Sequence, residues 1–267
     1  MFFSKVELWH AVLSKACAED RAGNQEIQNK YRRRIKVIQV IEEMDAFTQF
    51  DGNLLIAIQN ALNADWLTPI MKGITFFGEG GYFWIAICLL LIIFKKTRRL
   101  GIICAVSLAF TFICNNLIIK QLVDRTRPWE VFSQVKAMLP PPGDSSFPSG
   151  HSANSMGPAW ALFINTLPAR IRITNEETGA VRIVKKYDEV PCLGWNHCGV
   201  DPALVHKFSI AAVILAILIG VSRLYLGMHY PSDVVCGLLA GMICATIIHK
   251  VFKKIEASRG IIGEKSI

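Results

Sequence analysis

Tyr82-Phe83-Trp84-Ile85-Ala86-Ile87-Cys88-Leu89-Leu90-Leu91-Ile92-Ile93-Phe94, then Lys95-Lys96-Thr97-Arg98-Arg99, then an apolar run from Leu100 to Ile119: the reading of this stretch decides the fold. The first apolar core has 13 residues. It must borrow from Phe76–Gly81 to cross a hydrocarbon layer of about 30 Å. The second run follows at once and stops at Lys120. Two apolar runs parted by a short basic loop read as a membrane hairpin whose loop stays on the cytoplasmic side. Composition agrees, with 52% hydrophobic and only 19% charged residues among 267. In such a chain the net charge of +8 belongs to cytoplasmic loops rather than to a nucleic-acid surface.

Working outward, a third and less greasy run covers Gly150–Leu167, with Ser152, Asn154 and Ser155 near its start. A fourth covers Phe208–Val221 and a fifth Asp233–Ile248, followed by Lys250, Lys253 and Lys254. The expected fold class is therefore all-α integral membrane: a helical bundle of about five transmembrane helices. An N-terminal interfacial amphipathic helix precedes it. Over 44–78, Leu54, Leu55, Ile58, Ala61 and Leu62 recur at helical spacing, while Asn53, Gln59, Asn60 and Asn63 interrupt any spanning run. The membrane core is read as 79–251, with a polar insert at 168–207 and a basic tail at 252–267.

Five crossings fix a parity. A cytoplasmic loop at 95–99 puts the insert and the tail inside as well, both rich in Lys and Arg. The N-terminus then lies outside, which clashes with a polar, basic segment over 1–43 carrying Arg32-Arg33-Arg34. The clash disappears for a start at Met44, so 1–43 reads as an upstream extension or as disordered. Within the insert, Arg170–Thr174 and Val181–Val184 alternate with period two about 175–180, the pattern of a small hairpin. Cys192, His197 and Cys198 lie close together there, but no second ligand pair stands at zinc-like spacing, so no metal site is expected. Cys88, Cys104, Cys114, Cys236 and Cys244 sit singly in apolar runs and read as small buried hydrophobes. His10, His206 and His249 read as surface positions.

The same parity gathers three polar clusters beyond the outer face. Lys120, Arg125 and Arg127 end the second run. Ser149-Gly150-His151 open the third, directly after a stiff loop containing Pro140-Pro141-Pro142-Gly143. Ser222-Arg223 and His229 lie between the fourth and fifth, and Asp233 opens the fifth. Charges at membrane depth are costly and tend to be functional. Lys120 and Arg127, seven apart, would share one helix face about 10 Å apart along the axis, with Pro128 stopping the helix. The first N–H groups of a helix starting near Pro148 have no internal partner and form an anion site. His229 and Asp233 are four apart, within reach across one turn. Asp124 and Arg125 have no place in this pattern, and Asp124 reads as a surface partner of Lys120 or Arg125.

Three cations, a set of N–H donors, two histidines and a carboxylate suit phosphoryl transfer without a metal. The cations stabilise the equatorial oxygens of the transferring group. One histidine attacks phosphorus, with Asp233 holding its tautomer, and the other protonates the leaving oxygen. Lys120-(six residues)-Arg127-Pro128, Pro148-Ser149-Gly150-His151 and Ser222-Arg223-(five residues)-His229-(three residues)-Asp233 resemble the tripartite signature of the type 2 phosphatidic acid phosphatase superfamily. The resemblance covers roughly 52–250, and the long 168–207 insert is its one departure.

It implies a catalytic trio of His229 as nucleophile, Asp233 as its orienting partner and His151 as general acid. Lys120, Arg127, Ser149, Gly150 and Arg223 would bind phosphate, with no metal and no cofactor. The partners implied are the bilayer and a lipid phosphate or diphosphate, and no nucleic acid. Outward placement favours undecaprenyl diphosphate; phosphatidic acid or phosphatidylglycerol phosphate is the alternative. A vanadate-dependent haloperoxidase and a non-enzymatic lipid-binding or transport protein are the other classes, separated by bromide oxidation and by phosphate release.

Overall fold

The computed structural model describes residues 46–62, 64–95, 97–174, 181–186 and 202–258, with backbone alone over 169–174, 181–186 and at 202. The chain divides into two compact units, residues 1–54 and 55–267. The described part of the first, 46–54, is helical. Residues 1–43 and the Cys192/His197/Cys198 group lie outside the described residues.

The second unit opens with helical residues 55–62. Helix α1, Leu67–Phe76, follows, and a turn at Glu79–Gly81 leads into α2, Tyr82–Ile93. Gly80 and Gly81 both have positive φ (54° and 71°), so glycine is what lets the chain change direction here. Helix α3, Arg98–Phe112, widens into a π-helical turn at Ile113–Ile119 and ends with Lys120–Val123. A single turn at Pro128–Val131 interrupts the long loop before α4, Gly150–Asn165. Strands β1, Ala169–Thr174, and β2, Val181–Lys186, pair antiparallel with Thr174 opposite Val181, the hairpin expected from their alternation. Helices α5, Pro202–Tyr225, and α6, Pro231–Ser258, complete the bundle.

Four stretches among the described residues are long and apolar enough to cross a membrane: Leu67–Ile93, Arg98–Val131, Ala203–Tyr225 and Pro231–Ser258. The first begins at Leu67, inside the segment read from sequence as interfacial. The third apolar run becomes α4, which at 16 residues is shorter than any of these four. It is the hub all the same: 11 of its residues, from Gly150 to Asn165, are buried. It packs on α3, α5 and α6. The contact with α6 is backbone on backbone. A Cβ on Gly241 would lie 2.6 Å from Ala153 O and 2.8 Å from Gly157 N, so small residues at this crossing set the helix separation.

Trp84, Met156, Ala159, Ala216 and Ile219 form one core layer; Leu100, Ile103, Cys104, Ala161 and Ala245 form another. Leu89, Leu90, Ile93, Ile214, Ile243 and Ile247 point outward and exposed, the arrangement of a bundle whose solvent is lipid. Cys88, Cys104 and Cys244 are buried and free, as small hydrophobes. His206 and His249 are not simple surface groups. His249 Nδ1 lies 2.9 Å from Asn165 Oδ1, and His206 stacks on Phe163 and meets Thr166 Oγ1 at 3.2 Å.

Candidate active site

A cavity of about 530 Å³ opens where α3, α4 and α5 end on the side away from Arg98 and Arg99. Lys120, Arg127, Gly150, His151, Arg223 and His229 all line it. Their carriers differ from a single helix face. The helix after Lys120 stops at Asp124, which takes a left-handed conformation (φ 40°), and Arg127 is extended. Lys120 and Arg127 converge because both grip Asp144: Lys120 Nζ binds Oδ2 and Arg127 Nη2 binds Oδ1. Asp124 is not the partner of Lys120.

All three cations are nearly removed from solvent: 6% exposure for Lys120, 3% for Arg127 and 4% for Arg223. That burial separates them from ordinary interfacial side chains, which keep their charged heads in water. Arg127 also donates to Asp144 O through Nε (2.9 Å) and to Met228 O through Nη1 (2.9 Å). Arg223 Nη1 donates to Thr75 Oγ1 at 3.0 Å, while its buried Nε–H has no acceptor. An orphan donor in a cationic cavity is suited to an incoming oxyanion. Asp144 is half-exposed. Burial would raise its carboxyl, but the bonds to Lys120 and Arg127 outweigh this and hold it below the usual carboxylate range.

His229 is 1% exposed, on the short link between α5 and α6. Its Nδ1 lies 2.8 Å from Ser146 O. A carbonyl only accepts, so Nδ1 carries the proton and Nε2 keeps its lone pair, 3.5 Å from Arg127 Nη1. Burial pushes the imidazole down to about 4, although Asp233 pulls it back up. The sequence pointed to Asp233 as the group that sets this tautomer. In the structure its Oδ2 stands 3.7 Å from Nδ1, beyond a hydrogen bond, and the main-chain carbonyl of Ser146 makes that contact.

Asp233, fully buried, has other partners. It accepts from Ser146 Oγ (2.5 Å), Tyr230 N (2.9 Å) and Arg125 Nη1 (2.6 Å). The bond to Tyr230 N is a capping-box return from the third residue of α6, and Pro231 starts that helix. Arg125, which had no place in the sequence pattern, thus braces the carboxylate behind His229. Its guanidinium lies 3.9 Å from the Tyr230 ring centroid.

Ser149 caps α4, its Oγ accepting from Ser152 N (3.4 Å) and Ser152 Oγ (3.0 Å), so its side chain faces the cap rather than the cavity. A Cβ on Gly150 would stand 3.2 Å from Asn116 Nδ2. His151 Nε2 faces Glu79 Oε2 at 3.3 Å. Glu79, Asp144, Ser146, Arg125 and Thr75 are the site residues that sequence reading missed. Asp144 left one signal, as the sole acidic residue over 131–147.

A second cavity of about 390 Å³ runs between α2 and α3, lined by Ile85, Leu89, Ile92, Leu108 and Phe112. It shares Gly80, Gly81, Phe112 and Asn154 with the polar one.

The chain is similar to several known proteins. An undecaprenyl-diphosphatase of Sulfolobus acidocaldarius is 28% identical over 160 residues, covering 60% of this chain and 59% of that one. Phosphatidylglycerophosphatase B of Bacillus subtilis is 25% identical over 199 residues, covering 73% and 79%. The crystal structure of a transmembrane PAP2-type phosphatidylglycerolphosphate phosphatase from Bacillus subtilis superposes with a TM-score of 0.55. It is 22% identical and covers 94% of this chain and 96% of that one, which fixes the fold. The sequence profile of the PAP2 superfamily matches residues 100–257, more than half of the chain and all three polar clusters, so the chain belongs to the PAP2 superfamily.

Proposed function

We propose that this chain is a membrane lipid phosphatase that works through a phosphohistidine on His229. The observation that carries the reading is the unprotonated His229 Nε2, met among the described residues only by Arg127 Nη1 at 3.5 Å, in a residue lining a cavity that holds three buried cations. The phosphoryl oxygens sit among Lys120, Arg127 and Arg223, and the buried Arg223 Nε–H gains its acceptor. His229 Nε2 attacks phosphorus as the bond to the lipid oxygen breaks, and that oxygen takes a proton from His151. Water then attacks the phosphohistidine and gives a proton to His151, and inorganic phosphate leaves. The cations supply the electrostatic stabilisation, so the reaction runs without a metal.

The apolar cavity between α2 and α3, continuous in its lining with the polar one, supports a lipid substrate whose chain stays in the bundle while its phosphate enters the cations. The basic Lys95 and Arg98 stand at the opposite end from the site, which supports five crossings, with α4 as the third, and an outward-facing site. An outer-leaflet prenyl diphosphate, undecaprenyl diphosphate, is the preferred substrate. A glycerolipid phosphate is the second reading, favoured by the likeness to phosphatidylglycerophosphatase B.

Phosphate release by purified protein in detergent with EDTA present, over both substrate classes, tests the assignment. Activity that survives the chelator and disappears in His229→Ala is the expected result. Normal turnover by that variant would remove the nucleophile.

A further inference from the structure

We propose that Glu79, on the turn between α1 and α2, is a positioning residue that keeps His151 competent as the proton donor. The inference rests on the phosphatase reading above and adds a wall to the site from outside residues 100–257. That wall comes from one short segment. Thr75, near the end of α1, accepts from Arg223 Nη1 at 3.0 Å, and four residues on Glu79 Oε2 lies 3.3 Å from His151 Nε2. The turn is shaped for the approach. A Cβ on Gly78 would come within 2.9 Å of His151 Cδ2 and 2.7 Å of Ile219, so a larger residue there would push the ring or the turn away. Gly80 and Gly81 then carry the chain off through positive φ.

The chemistry asks for a carboxylate at this point. His151 must hold a proton to release the leaving oxygen, above all the alkoxide of a phosphate monoester such as phosphatidic acid, yet Lys120, Arg127 and Arg223 line the same cavity, and like charge disfavours an imidazolium. His229 faces it as well and is neutral. The anionic groups lining that cavity are Glu79 and Asp144, and Asp144 is bound to Lys120 and Arg127. A carboxylate only accepts, so the contact at 3.3 Å places the proton on His151 Nε2. In the forward step that proton moves from Nε2 to the lipid oxygen as the P–O bond breaks. Glu79 remains ionised throughout and acts through the His151 ring, its hydrogen bond to Nε2–H giving way to the lipid oxygen as the proton moves.

The test compares wild type with Glu79→Gln, full-length in detergent, on two esters. Phosphatidic acid has an alkoxide leaving group that needs protonation; p-nitrophenyl phosphate releases a stable phenolate that does not. The expected result is a loss of kcat of roughly 10- to 100-fold on the lipid, a fraction of what general acid catalysis supplies. The aryl ester should be affected far less. The alkaline limb of the lipid pH profile should move to lower pH, because without the carboxylate His151 gives up its proton sooner. Glu79→Asp, which keeps the charge at shorter reach, should recover part of the lipid rate with the same split. Inhibition by inorganic phosphate should be unchanged in both variants, as the three cations stay in place.

Equal losses on the two esters with an unmoved pH profile would overturn the proposal, leaving Glu79 a merely structural role. Unchanged kinetics would overturn it too. A wild-type protein active on both esters whose variants show either of these patterns leaves the phosphatase reading standing. A wild type inactive on both would remove that reading and this inference together.

Discussion

The two ends of the bundle carry the same kinds of charged residue and treat them in opposite ways. At the end opposite the site, Lys95, Arg98, Lys250, Lys253 and Lys254 are exposed, and Arg99 reaches Glu256. At the site end, Lys120, Arg127 and Arg223 are buried and Arg125 nearly so, each tied to carbonyls, hydroxyls or carboxylates. An exposed cation near a membrane contributes a fraction of a kilocalorie and costs little to change. A buried one needs partners for most of its donors, and its neighbours depend on it. The lesson is that burial with partners, not basicity, marks the candidate site.

The sharpest way to break this contrast is His229→Ala, which should lower phosphate release by at least about a thousandfold, as loss of a covalent nucleophile does; single-turnover assays on purified protein would read it. Next in size is Arg125→Ala, which removes the charged partner of the fully buried Asp233. It should cost about 3–5 kcal/mol, the usual consequence of removing one partner of a buried pair, seen as a lower midpoint of thermal unfolding in detergent. Asp144→Asn removes the carboxylate that holds Lys120 and Arg127. Inorganic phosphate should then inhibit about tenfold more tightly, a difference of ~1.4 kcal/mol. Weaker inhibition would mean that Asp144 organises the two cations rather than competing for them.

A pH series sharpens the comparison further. The folded pKa of His229, about 4, lies below its ordinary 6.5. Between those values the unfolded chain binds a proton that the folded one does not. Stability should therefore fall as pH drops from 6.5 toward 4, and His229→Asn should flatten that slope. The smallest effect belongs to the opposite end, where Lys253→Ala should stay within about 0.5 kcal/mol of wild type.

Much of this is legible in the sequence alone. The apolar runs gave the helices, alternation gave the β1–β2 hairpin, and the signature spacings gave six of the residues that line the cavity, with Asp233 behind His229. What escaped has a common cause. The tautomer of His229 is set by a main-chain carbonyl, and a carbonyl leaves no trace in residue identity. Asp144 and Arg125 act through pairings that depend on how the loop folds back, not on a fixed offset from the motif. The expectation of one helix face for Lys120 and Arg127 failed at Asp124, where a left-handed residue ends the helix early. The spacing brought both cations to one cavity and was misleading about the backbone that delivers them.

The shortness of α4 has its own consequence. Sixteen residues rise about 24 Å, less than the ~30 Å of a hydrocarbon layer. Its far end is anchored to the basic rim by the Asn165–His249 contact, and it is flanked by α5 and α6 of 24 and 28 residues. With α4 as the third crossing, the end bearing His151 would lie below the headgroup plane, like the bottom of a well. Turnover in vesicles should then respond to host-lipid acyl length, because bilayer thickness sets how far a phosphate must descend.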